Sequence, residues 1–277
     1  MNKESPGVRH LRERKQLPIT LTVAGSDSGG GAGVQADLKT FTALGVHGTS
    51  AVTCVTAQNP RAVTGIQPIR ADLVRGQLEA VFAELRPAAV KTGMLFSTDL
   101  IRVVVEFFAR GSHPPLIVDP VMVATSGAIL LKPAAIRLLK EQLLPLATLV
   151  TPNLDEAEIL VGRRLECLAD LESAAREIHR MFGCAALVKG GHLRSLPAAT
   201  DIFFDGRKML RLVAPFVHDV STHGTGCTYS AAITAFLARG ESLSGAVVAA
   251  KHYITRAIQG SYRAGRHTVL QHSPTRR

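Results

Sequence analysis

Apolar runs alternate with helical patterning along nearly the whole chain. Residues 19–24 (Ile-Thr-Leu-Thr-Val-Ala) read as a buried strand, and a glycine-rich turn follows at Gly25–Gly33. Val34, Leu38, Phe41 and Leu44–Val46 then recur at helical spacing, with Gly45 as the C-cap signal. After Gly48 the chain is β-branched again at Thr49, Val52, Thr53, Val55 and Thr56, which predicts a further strand. Val74, Leu78, Val81, Phe82 and Leu85 mark an amphipathic helix. Short strands follow near 88–91, 116–119, 149–151 and 185–189, separated by helical stretches at 98–110, 133–143 and 170–182. A hairpin over 201–213 turns at Asp205-Gly206, and two helices at 226–238 and 243–262 close the pattern.

Strands that alternate with helices imply parallel pairing and a sheet covered on both faces. In such sheets ligands sit beyond the carboxyl ends of the strands. The strand-ending residues are Gly25-Ser26-Asp27, Gln58-Asn59, Lys91 to Met94, Asp119-Pro120, Thr151 to Asn153, and Lys189 to His192. Polar residues and glycines are dense there, between strands that are otherwise apolar.

Composition bounds the rest. With 277 residues, 46% hydrophobic and 19% charged, the chain suits one α/β domain, with no repeat and no linker-like stretch. The four cysteines form no C-x-x-C pair, and the ten histidines show no ligand spacing. Few scattered cysteines, no signal-peptide pattern over Met1 to Leu17 and no membrane-length apolar run point to a cytoplasmic protein. The net charge of +10 sits at the ends: residues 1–15 carry +3, residues 251–277 carry +6, and the 235 between them carry +1. That distribution argues for solubility and against a specific nucleic-acid groove.

Two glycine elements carry candidate chemistry. The loop from Gly25 to Gly33 fits neither G-x-G-x-x-G nor the phosphate loop G-x-x-x-x-G-K-[ST], so a dinucleotide enzyme and a P-loop enzyme are both poorly supported. The second element, Thr222-His-Gly-Thr-Gly-Cys-Thr228, immediately precedes an apolar helix. A helix start offers unpaired N–H groups and a positive dipole end, which suits a phosphate. Cys227 falls in the first turn, where a thiol pKa is lowered and a thiolate can take a proton from a hydroxyl; a small core residue is the alternative. Asp119 ends an apolar strand, a good place for Mg²⁺. Glu156 adds a second carboxylate, directly or through water, while Asn153 or Asp155 can cap the helix there. Lys189 is a point charge for a nucleotide phosphate and needs an anionic partner if buried.

Taken in order, these segments are specific. Ala24–Phe41, Ala57-Gln58-Asn59, Lys91–Met94, Val118–Met122, Thr151–Glu156, Val188–His192 and Thr222–Cys227 resemble the ribokinase-like superfamily. Within it they are most similar to the hydroxymethylpyrimidine and phosphomethylpyrimidine kinases of thiamine biosynthesis, over about residues 19–262. The resemblance implies a three-layer α/β/α fold around a central, mostly parallel sheet. It implies ATP and Mg²⁺, and transfer of phosphoryl groups to the hydroxymethylpyrimidine alcohol and then to its monophosphate. It assigns Gln58, Gly25, Asp37 and Met94 to the pyrimidine pocket, with bracing of its own helix as the other role for Asp37. It assigns Gly224, Gly226 and Cys227 to the anion hole and the transfer step, together with Lys189. Asn153, Lys189, His192, Thr222 and Thr225 fall to the nucleotide, and Asp119 and Glu156 to the metal. It implies a homodimer. The two ends match no family pattern, and the expected organisation is a flexible extension over 1–17, one kinase domain over 18–265 and a basic tail over 266–277. The rival readings are a pyridoxal kinase, whose substrate also offers a hydroxymethyl group on a nitrogen heterocycle, and a non-catalytic pyrimidine sensor.

Overall fold

The computed structural model describes residues 16–123, 130–191, 193, 196–218, 220 and 223–273. Eight strands form one sheet in the order β10-β9-β8-β7-β6-β5-β1-β2. β1 (Ile19–Ala24), β2 (His47–Val52), β5 (Ala89–Thr92), β6 (Leu116–Val118), β7 (Leu149–Val150) and β8 (Ala185–Lys189) run parallel. β9 (Ala199–Phe204) and β10 (Met209–Ala214) finish one edge as an antiparallel hairpin. The central strands are continuous apolar runs because both faces are buried. Successive side chains point to opposite faces, so Leu116, Val118, Ala186 and Val188 enter one core while Ile117 and Leu187 enter the other.

The first core is covered by α2 (Ala71–Glu84), α3 (Thr98–Phe108), α4 (Pro133–Leu138), α5 (Leu154–Val161) and α6 (Leu168–Phe182). On the opposite face lie α1 (Gly33–Ala43), α7 (Thr225–Ala238) and α8 (Leu243–Gln259). The three layers match the expected class. The chain order reverses about β1, which pairs with β2 on one side and β5 on the other. Such a switch point opens a crevice at the strand ends, and the Gly25 and Met94 segments flank it.

Several boundaries differ from the sequence reading. The β-branched stretch after Gly48 is two strands. At Thr53 the backbone turns out of the sheet, donating to the Ala24 carbonyl (3.0 Å) and accepting from the Ile69 N–H (2.8 Å). β3 (Cys54–Gln58) then pairs with β4 (Val63–Pro68), which the sequence reading did not anticipate, as a separate antiparallel hairpin. The helix expected over 133–143 keeps α geometry only to Leu138. It widens into a π-turn over Leu139–Leu143 and ends in a 3₁₀ turn at Leu144–Leu146, where Pro145 has no N–H to continue the ladder.

The C-terminal boundary also moves. α8 stops at Gln259, and β11 (Tyr262–Ala264) and β12 (His267–Val269) form a hairpin through Gly265, whose φ is +60°. Leu270 is buried in the second core, and the His272 carbonyl accepts from the Tyr253 hydroxyl at 2.7 Å. The folded unit therefore runs to at least residue 272, beyond the expected tail boundary at 265.

Candidate active site

A cavity of about 580 Å³ lies along the carboxyl ends of the parallel strands. Its first lobe surrounds the end of β1. Gly25 permits this lobe, because a methyl there would lie 2.6 Å from the Cys54 sulfur and 2.8 Å from the Met94 Cε. Met94 is fixed by the Thr53 hydroxyl, which donates to its carbonyl at 2.7 Å. Gln58 ends β3; its backbone N–H and carbonyl are both held by the Ser28 hydroxyl, at 2.8 and 2.7 Å. The Thr56 hydroxyl donates to the Gln58 amide oxygen at 3.2 Å, which orients the amide on the cavity wall. Asn59, Pro60 and Arg61, at the tip of the β3–β4 hairpin, form the rim beside it.

The middle of the cavity is charged. Asp119 accepts from the Lys189 ammonium (3.2 Å), the Thr151 hydroxyl (3.3 Å) and the Ser230 hydroxyl (3.2 Å). Burial alone would lower the Lys189 pKa, but the Asp119 and Glu156 carboxylates outweigh it and hold the pKa above its usual range. Lys189 thus has the anionic partner that its burial demands. Asn153 and Glu156 form a capping box at the start of α5: Glu156 N–H to Asn153 Oδ1 and Asn153 N–H to Glu156 Oε2, both 2.9 Å. The other Glu156 oxygen accepts the Met122 N–H at 3.1 Å. That bond braces Val121, a β-branched residue at φ +41° on the cavity wall. Burial, opposed by Lys189 and assisted by Asp119, pushes the Glu156 carboxyl up to about 7.

Helix α7 starts at this charged centre. Its N-cap, Gly224, has φ +80° and no side-chain cap, and Gly224, Thr225, Gly226 and Cys227 all line the cavity. Gly226 brings the helix backbone close to the charged centre: a methyl there would lie 3.2 Å from the Lys189 nitrogen. The expected lowering of the Cys227 thiol is not found: burial pushes it up to about 11, against the opposing pull of Lys91. The helix-start effect is outweighed by loss of hydration.

Beyond the charged centre lies a second, more apolar lobe, walled by Ala214, Pro215, Phe216, Ile254 and Ile258. Lys251 and Asp201 border it as a 2.6 Å ion pair, and Asp201 also accepts the Gly190 N–H at 3.1 Å.

The structure thus gathers Gly25, Gln58, Met94, Asp119, Asn153, Glu156, Lys189, Gly224, Thr225, Gly226 and Cys227 around one cavity. Asp37 is a correction. It is fully buried and lies behind the wall, accepting from the Thr22 hydroxyl at 2.6 Å and from Lys91 at 3.0 Å. It does not line the cavity, which corrects the pocket assignment; it braces its own helix, tying α1 to β1 through Thr22 and to β5 through Lys91, which does line the cavity. His192 and Thr222 lie outside the described residues. Lys91, Asp27, His223 and the Lys251–Asp201 pair received no role from the sequence. Lys91 and Asp27 had a signal, since both follow or end strands within glycine-containing segments.

Among the described residues no cluster of three or more His, Cys, Asp and Glu side chains offers a closed metal cage. Two carboxylates, Asp119 and Glu156, stand on the cavity wall; such a pair would suit Mg²⁺, which completes its shell with phosphate and water oxygens.

The sequence comparisons agree with this geometry. Residues 27–272 match the model of the phosphomethylpyrimidine kinase family. The chain belongs to this family. A hydroxymethylpyrimidine/phosphomethylpyrimidine kinase of Rhizobium meliloti (strain 1021) is 50% identical over 246 residues, covering 88% of this chain and 92% of the relative. The thiamine biosynthesis bifunctional protein ThiED of Geobacter sulfurreducens is 47% identical over 91% of this chain, and the chain spans about half (51%) of that longer protein. Among solved structures, an ADP complex of Bacillus subtilis pyridoxal kinase superposes with a TM-score of 0.85 at 38% identity, over 93% of this chain and 98% of that one. A phosphomethylpyrimidine kinase from Clostridium difficile 630 gives 0.78 at 41% identity, over 87% and 99%. The phosphomethylpyrimidine kinase family thus shares its fold with pyridoxal kinases, in agreement with the three layers seen here.

Proposed function

We propose that the chain uses ATP to phosphorylate 4-amino-5-hydroxymethyl-2-methylpyrimidine and then its monophosphate, giving the pyrophosphate used in thiamine biosynthesis. The observation that carries this reading is a single cavity lined by Gln58 and Met94, by an apolar wall at Phe216, Ile254 and Ile258, and by the start of α7 with Lys91 and Lys189. Phosphoryl transfer asks mainly for alignment and charge stabilisation, and the arrangement supplies both. Gln58 offers a donor and an acceptor to an aminopyrimidine edge, and Met94 packs on the ring. The second lobe takes the base of ATP, and Lys189 lies beside the phosphates. Backbone N–H groups at Gly224–Cys227 stabilise the moving phosphoryl group. Cys227 orients the acceptor hydroxyl and takes its proton as transfer proceeds. Mg²⁺ bound through Asp119 and Glu156 would neutralise phosphate charge.

The family resemblance supports a homodimer, tested by sedimentation. No helix among the described residues is long and apolar enough to cross a membrane, and a cytoplasmic location suits the proposed reaction.

Pyridoxal is the second acceptor to consider, because the pyridoxal kinase superposition covers nearly the whole chain. The test is phosphorus NMR of the purified chain with ATP, Mg²⁺ and hydroxymethylpyrimidine. A monoester signal that gives way to a pyrophosphate pair, and vanishes with chelator, is expected. No new phosphorus signal would overturn the reading.

A further inference from the structure

The two glycine loops of the cavity come from opposite ends of the sequence, and their contact is built from one carboxylate. Asp27 is almost fully buried. Its Oδ1 accepts the Gly29 N–H at 2.8 Å, and its Oδ2 accepts the Gly31 and Ala32 N–H groups at 3.0 and 2.8 Å. Its own N–H donates to the Gln35 side chain at 2.8 Å. This carboxylate therefore dictates the path of the acceptor-side loop. The same Oδ2 lies 2.9 Å from Nε2 of His223, the residue that precedes the Gly224 cap of α7.

Close packing reinforces the bond. A methyl on Gly31 would lie 2.7 Å from the His223 Cδ2, and a methyl on Gly224 would overlap the Gly31 carbonyl oxygen. The loop and the helix start thus touch through backbone. The pair also holds the Asp27 carboxyl below its usual range: its burial acts upward, but the His223 bond and the loop N–H groups outweigh it.

We infer that Asp27 and His223 form a clasp that fixes the spacing between the acceptor-binding loop and the anion-holding start of α7. His223 is thereby a positioning residue for phosphoryl transfer. The consequence is kinetic, because transfer depends steeply on the distance between acceptor oxygen and phosphorus. Loosening the clasp leaves both binding lobes in place while spoiling their separation. The inference rests on the kinase reading for its kinetic arm only.

The experiment compares His223→Ala, His223→Gln and Gly31→Ala. Gln keeps a donor at the position of Nε2; the Gly31 methyl displaces the imidazole from the other side of the clasp and serves if a His223 variant does not fold. Ala at either site is expected to lower kcat roughly 10- to 100-fold, with KM for ATP and pyrimidine moving less than about threefold. Gln is expected to restore most of kcat. Hydrogen exchange, read without turnover, is expected to rise together over residues 27–33 and 223–228 in His223→Ala and to return with Gln. Unchanged kcat in both Ala variants, equal loss in Ala and Gln, or exchange rising only at the start of α7 would overturn the clasp. Wild-type protein silent with every acceptor would instead remove the kinase reading, and the exchange result would still decide the clasp.

Discussion

The role proposed for Cys227 in proton transfer depends on its surroundings. Burial raises its thiol to about 11, which favours the neutral thiol at pH 7, so in the proposed mechanism the proton leaves the acceptor as phosphoryl transfer proceeds. Alkylation at pH 8 should therefore label exposed Cys167 first, with Cys54, Cys184 and Cys227 lagging; peptide mapping that finds Cys227 labelled first would contradict this. The second acceptor is already anionic and needs little deprotonation. Cys227→Ala should accordingly reduce turnover of the alcohol more than turnover of the monophosphate, as steady-state comparison of the two will show. Lys91 and Asp37 are both fully buried and paired at 3.0 Å. Removing one partner, as in Lys91→Met, should destabilise the fold by roughly 3–5 kcal/mol in urea unfolding, whereas removing both costs much less. Asp119, Lys189 and Cys227 stood out in the sequence because each lies at a strand end or a helix start, while Gln58 and Met94 took their roles from the family resemblance. Asp27, His223 and Lys91 were not assigned, because their meaning lies in partners 196 and 54 residues away.

Among the elements, those with strong periodic patterns appeared where the sequence put them, and those set by tertiary contacts did not. β6 and β7 are apolar throughout and β1 and β8 mostly so, and α3 and α6 have well-separated apolar faces, so their existence was legible. The β3–β4 hairpin was hidden because its turn out of the sheet is made by backbone bonds at Thr53, which no side-chain pattern announces. The C-terminal hairpin was hidden by its basic composition. Leu270 distinguishes a packed end from a tail: Leu270→Ala should cost about 2 kcal/mol by thermal unfolding, where a tail residue would cost nothing. His272 adds a pH signature. Burial, with Lys39 nearby, lowers its pKa to about 4 from 6.5, and its Nε2 lies 3.1 Å from the Thr228 hydroxyl. The unfolded chain takes the proton first as pH falls. The stabilising effect of neutral His272 is therefore complete above pH 6.5 and is lost progressively toward pH 4. His272→Asn should flatten that part of the stability profile, and an unchanged slope would count against the packing described.

For the whole molecule, one topological fact places the site. Chain order reverses about β1, so the loops after β1 and β5 diverge and leave a crevice. The parallel strand ends from β5 to β8 line the rest in sequence. The acceptor lobe, the charged centre and the apolar lobe thus follow one another along the sheet. The net positive charge, by contrast, is concentrated in the end segments, and of these basic residues only Lys251 borders the cavity among the described residues. Transfer of phosphoryl groups to a hydroxymethylpyrimidine in this cavity is tested most directly by a coupled ADP-release assay with hydroxymethylpyrimidine, its monophosphate and pyridoxal offered separately. Turnover is expected with both pyrimidines, at higher kcat/KM than with pyridoxal. Turnover with pyridoxal alone would contradict the pyrimidine assignment, and silence with all three would contradict the kinase reading itself.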